Sequence, residues 1–226
     1  MHHYLMESFL DHISTVYQVL LILAFICYTV AIVMGKSDFK PIFLYLLSGV
    51  FTELMSNMIT RDYFVVLGEK TNAPFFFLFA LLQFVFLSYF FKKVITCPIF
   101  SKFFKYSVII VVMIGITPYI FNPSWILEFS VWLPLMTIPL LLFFSTYYFI
   151  ELLKYKQGYP FINIGLFIML GTTLIFFMTM QFYEGVPPDV KILLRTLHVL
   201  PLTILHTLFI YECVLYFKSQ IPQSTT

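Results

Sequence analysis

Seven stretches of apolar residues, each long enough to cross a bilayer, occupy nearly all of this 226-residue chain. A helix needs roughly 20 mostly apolar residues to cross a hydrocarbon core about 30 Å thick. The stretches run over about 14–34, 41–60, 73–91, 106–121, 125–152, 161–183 and 192–217. The joints between them are too short for a globular domain, so a single transmembrane domain over 1–226 is expected. Composition agrees, with 61% hydrophobic and 11% charged residues, against roughly 25% charged in a typical soluble domain. Inside hydrocarbon the backbone must satisfy its own polar groups, which leaves helices or a closed barrel. A barrel needs alternating segments of about 10 residues, and the runs 20–25, 108–113 and 140–144 do not alternate. The expected fold class is all-α: a polytopic membrane protein, built as a seven-transmembrane-helix bundle in contact with the lipid bilayer.

Lys and Arg gather in cytoplasmic loops of membrane proteins. Taking alternate joints, one side holds Lys36, Lys40, Lys92, Lys93, Lys102, Lys105, Lys154, Lys156 and Lys218. The other holds Arg61, Lys70, Lys191 and Arg195. Nine against four predicts an outside N-terminus and a cytoplasmic C-terminus. The outer side is also acidic, with Glu7, Asp11, Asp62, Glu69, Glu184 and Asp189. The first 13 residues lack a basic region and no A-x-A site follows the first apolar run, so that run reads as an uncleaved anchor. The net charge of +2 includes no basic patch that suggests nucleic acid. Cys27, Cys97 and Cys213 fall in lipid or reducing surroundings, which argues against a disulfide framework.

Ionisable groups within membrane helices usually face the bundle interior and often mark function. In the second helix Ser48, Thr52, Ser56 and Thr60 recur every fourth residue, beside Gly49, Glu53 and Asn57. At 3.6 residues per turn the two rows make one polar stripe. Small residues in such a stripe also serve close helix packing, but Glu53 is hard to explain that way. In the seventh helix Arg195 and His206 lie about 20° apart around the axis, with His198 about 60° to the other side. Pro201 between the histidines withholds one backbone donor, so a kink or polar opening is expected there. Two histidines eight residues apart stand about 12 Å apart along the helix, too far to share one ion, so neither a metal site nor a cofactor is expected. Gln83 in the third helix and Glu128 at the outer end of the fifth complete a candidate polar core of Glu53, Asn57, Gln83, Glu128, Arg195, His198 and His206. Arg195 is the expected partner of Glu53 or Glu128, since pairing lowers the cost of burying either charge. Glu151 and Glu212 lie near the cytoplasmic helix ends, within reach of Lys154 and Lys218, and read as interfacial.

The segments 45–57 (YLLSGVFTELMSN), 76–91 (FFLFALLQFVFLSYFF), 159–170 (YPFINIGLFIML) and 197–216 resemble parts of a bacterial family of small seven-helix integral membrane proteins of about this length. On that resemblance, the family's Thr-Glu pair is Thr52-Glu53 and its last-helix histidine is His198, while Gln83 stands where a glutamate is expected. It implies a sensor-like or accessory protein of the bacterial inner membrane and brings no established activity. Other seven-helix families fit less well. A microbial rhodopsin needs a lysine in the last helix, and 192–217 contains none. Hydrolases similar to ceramidases use an H-x-x-x-H pair with further His and Asp, and no Asp lies within a span here.

Three functions compete at this stage. The first is a sensor or ligand-binding protein with an outer-facing polar core and a cytoplasmic or membrane signalling partner. The second is a small transporter or channel using the same groups, and the third an intramembrane lipid-modifying enzyme. Enzyme activity is the less expected class, because nucleophile, base and orienter cannot be assembled from these residues.

Overall fold

The structure, a computed structural model, describes residues 2–61, 65–66, 70–128, 131–155, 158–180, 182 and 185–220. Of the residues named above, Asp62, Glu69, Lys156 and Glu184 lie outside the described residues, as does the side chain of Glu7. Seven α-helices follow one another: α1 (His2–Val33), α2 (Lys40–Thr60), α3 (Ala73–Val94), α4 (Pro98–Phe121), α5 (Trp132–Tyr155), α6 (Pro160–Met180) and α7 (Pro188–Gln220). Among the described residues all seven are long and apolar enough to cross a membrane.

Several helices start earlier than the apolar runs do. Helix α1 begins at His2 rather than near residue 14, and α4 at Pro98 rather than near 106. Lys102 and Lys105 are therefore helical, not loop, residues. Apolarity marks the part of a helix suited to lipid, whereas backbone hydrogen bonding continues into the polar flanks. The fifth helix goes the other way, because Pro123–Leu127 forms a 3₁₀ turn and α5 starts only at Trp132. Proline sets many of these starts. Pro41, Pro74, Pro98, Pro160 and Pro188 each sit in the first two positions of a helix, where the missing N–H has no partner to lose. Helix α1 ends at Gly35 with φ 94°. There Gly35 N donates to Ile32 O and Lys36 N to Ala31 O, the paired bonds of a Schellman stop.

Six helices pack into a closed ring in the order α1, α2, α3, α5, α6, α7 and back to α1. Helix α4 stands outside, against α3 and the edge of α5. Close approach closes the seam between α6 and α7, where a Cβ added at Gly165 would lie 2.9 Å from Leu205 Cδ1 and 3.3 Å from its Cα. A buried reciprocal pair ties α5 to α6: Ser145 Oγ donates to Asn163 Oδ1 at 2.8 Å, and Asn163 Nδ2 donates to Ser145 O at 3.0 Å. The outer surface is apolar, with Ile22 and Ile26 on α1, Ile110 and Met113 on α4, and Phe167 and Ile175 on α6 all exposed. Soluble monomers rarely expose such faces over more than a few hundred Å².

Polar chemistry concentrates at the lysine-rich end of the bundle. Asp38 lies 3.9 Å from the amino groups of both Lys36 and Lys93, and Tyr159 Oη donates to it at 3.2 Å. Glu151 and Glu212 are buried rather than interfacial. Glu151 accepts the amide and hydroxyl of Thr96 at 3.0 and 3.2 Å. Glu212 accepts the amide of Phe161 at 2.9 Å, so a carboxylate from α7 caps the free N–H groups at the start of α6. Among the described residues both carboxylates therefore bond to the joint before α4 and the start of α6 rather than to Lys154 and Lys218.

Candidate functional site

The ring encloses a cavity of about 180 Å³ to which each of its six helices contributes wall, and α4 none. Its position follows from where the polar residues stand along their helices. Glu53 lies two turns before the end of α2, and Gln83 less than three turns into α3. The cavity therefore occupies the half of the bundle away from the lysine-rich end.

Of the seven residues singled out from the sequence, the structure brings Glu53, Gln83, His198 and His206 to this wall. Asn57, one turn beyond Glu53, is exposed. Glu128 is exposed too, following the 3₁₀ turn and bordering a separate cleft with Tyr119, Trp125 and Trp132. Arg195 is exposed and, among the described residues, makes no ion pair with Glu53 or Glu128. The expected pairing fails for a geometric reason. Arg195 stands nearly one helical turn outward of His198, about 4.5 Å along the axis, and is exposed rather than part of the cavity wall.

Glu53 is held instead by α1. Tyr17 Oη donates to Oε1 at 3.1 Å and Gln18 Nε2 to Oε2 at 3.3 Å. The Tyr17 ring also meets His206 edge-on, with centroids 5.4 Å apart, so one α1 tyrosine joins the acid of α2 to the histidine of α7. Neither Tyr17 nor Gln18 was among the sequence candidates. Tyr17 is hidden among the 20% aromatic residues, whereas Gln18, an amide within an apolar run, gives the same kind of signal as Gln83.

The two histidines are bonded incompletely. His206 is 1% exposed, and its Nδ1 lies 2.6 Å from Leu202 O. A carbonyl only accepts, so Nδ1 carries the proton and Nε2 of the neutral ring is an acceptor. That Nε2 is buried and has no hydrogen-bond partner among the described residues. His198 stacks on Phe176 at 4.5 Å with an interplanar angle of 21°, and its buried Nδ1 likewise has none. By contrast, three hydroxyls of the α2 stripe bond within the helix, while Ser56 Oγ accepts from Asn72 Nδ2 at 3.1 Å. Ser48 donates to Tyr45 O, Thr52 to Ser48 O and Thr60 to Ser56 O, at 2.7 to 2.9 Å. Among the described residues, no three His, Cys, Asp or Glu side chains come together as a set of metal ligands. No family model, curated protein or solved structure matches the chain.

Proposed function

We propose that this chain is a multi-pass membrane protein, N-terminus outside and C-terminus cytoplasmic, that binds a small ligand in its central cavity and acts as a sensor or accessory signalling protein. Its resemblance to small seven-helix proteins of bacteria favours the inner membrane. The apolar outer surface and the gathering of lysines at one end of the bundle support the topology. The observation that carries the ligand reading is the central cavity whose wall joins Glu53 to two histidines, each with a buried nitrogen that has no hydrogen-bond partner among the described residues. A buried polar atom left without a partner costs about 1–3 kcal/mol, a cost that a ligand offsets by supplying one. A signal would travel along α7, which lines the cavity at His198 and His206 and runs on to Gln220.

The test is thermal stability of the full chain in nanodiscs against ring compounds of neutral, cationic and anionic character. A ligand at one hundred times its Kd stabilises by about 2.7 kcal/mol, which moves the midpoint by several degrees. At least one class is expected to do so in wild type and to lose its effect in Ala80→Phe, which fills the wall at a buried position of α3. No shift in wild type, or the same shift in the filled variant, rejects the reading.

A second reading, a transporter, has one observation in its favour. With α4 outside, the ring divides into α1–α3 and α5–α7, each packed in chain order. Parallel repeats about an axis along the membrane normal are a transporter architecture. Counterflow of a bound compound in proteoliposomes would support it over sensing. The lipid-modifying enzyme gains nothing, because Thr52 and Thr137 in the wall donate to backbone carbonyls rather than to Glu53 or a histidine.

A further inference from the structure

We infer that the cavity takes a small organic cation, a primary amine on a compact apolar body. This rests on the ligand-binding reading above and goes further, to the ligand's charge and size. The wall contains one carboxylate, Glu53, and among the described residues no Lys or Arg. The groups that hold Glu53, the Tyr17 hydroxyl and the Gln18 amide, are neutral donors. A carboxylate offers about four acceptor positions, and these two bonds occupy half of them. Removing an acid from water without a countercharge is costly, and a matched cation returns much of that cost.

His206 brings no free donor to the wall that would compete with a cation for Glu53. His206 Nε2 lies buried beside the Tyr17 ring, and its tautomer is set by the bond from Nδ1 to Leu202 O. An ammonium supplies one positive charge and three donors with no acceptor, which is what a carboxylate held only by neutral donors requires. An anion would meet Glu53 with no cation to compensate, and a neutral alcohol would supply a donor without the charge. The rest of the wall suits the remainder of such a molecule. Tyr45 and Phe79, with ring centroids 6.0 Å apart, and Phe76 and Phe177, 5.7 Å apart, present aromatic surface. Aromatic faces attract cations as well as apolar groups. A void of about 150 Å³ is enough for a benzene-sized body, so 180 Å³ limits the ligand to one small ring and its amine.

The probes are benzylamine, benzyl alcohol and benzoate, which share a ring and differ in charge. Binding to the full chain in nanodiscs is measured by equilibrium dialysis, with Ala80→Phe nanodiscs subtracting partition into lipid. Benzylamine is expected to bind about tenfold more tightly than benzyl alcohol, and benzoate more weakly than either. Glu53→Gln should bring the amine's affinity down to that of benzyl alcohol, and a cooperative thermal unfolding transition shows that the variant is folded. Alcohol binding as tightly as the amine, benzoate binding best, or an amine preference that survives Glu53→Gln overturns the cation assignment while leaving a ligand cavity. Failure of all three probes to bind wild type beyond the Ala80→Phe level sinks the cavity reading itself.

Discussion

At Gly158 the backbone stands at φ 126°, and a Cβ added there would strike the hydroxyl of Tyr148. That hydroxyl accepts the amide of Tyr159 at 2.9 Å, so the turn into α6 is built around a missing side chain. Gly158→Ala is expected to lower stability by about 1–3 kcal/mol, read as a drop in thermal midpoint. Gly185→Ala, with nothing within 4 Å of its Cβ, should leave the midpoint in place, and equal effects would refute the steric account. At this scale the candidate site was partly legible. Glu53, Gln83 and the two histidines stand out because polar groups are rare within apolar runs. Arg195 was misjudged because sharing a helix face with a buried residue does not bury a long side chain that can turn outward. Tyr17 was invisible because its hydroxyl matters only once the fold sets it against Glu53.

The helices reveal a second kind of information, held at their ends. Proline opens five of them, and buried carboxylates complete two more connections at the lysine-rich end. Glu212 is the clearest case, since it reaches from α7 to the amide of Phe161 at the start of α6. Glu212→Gln retains an acceptor for that amide and should cost less stability than Glu212→Ala. The alanine variant leaves the N–H unsatisfied, for about 1–3 kcal/mol. Equal losses, measured by thermal unfolding, would mean that charge or packing volume matters and the cap does not. Sequence marked Glu151 and Glu212 as polar and close to helix ends, but proximity to Lys154 and Lys218 in the chain suggested the wrong partners. A carboxylate within two turns of a lysine by sequence can be one hydrogen bond from another helix in space.

For the whole molecule, the seven helices were readable because apolarity over a bilayer's thickness is a strong signal. Their ring order was not, and the reason is physical. In a chain whose outer face is as apolar as its core, the 3.6-residue period no longer separates inside from outside, so neighbours cannot be inferred from pattern. The orientation proposed from nine against four basic residues has a direct test. A reporter fused after Thr226 should be active in the cytoplasm, and one fused after Lys70 should face outward. Cys97 provides an independent check at the lysine-rich end. The amide groups of Ile99 and Phe100 and the Tyr147 hydroxyl lower its thiol pKa from the ordinary 9.0. Its thiolate therefore forms at lower pH than an ordinary thiol's, and labelling should accelerate correspondingly earlier as pH rises. An impermeant maleimide should reach Cys97 in inside-out vesicles and not in intact spheroplasts; the reverse would invert the topology.

Helix α4 adds no wall to the cavity, yet it changes the parity of the chain. Six helices alone would bring both termini out on one face and run the second set of three antiparallel to the first. The extra crossing turns that second set to the same direction and sends the end of α7 to the face opposite the start of α1. A helix that touches nothing in the cavity thus determines at which end of the bundle α7, the helix carrying both histidines of the wall, comes to its close.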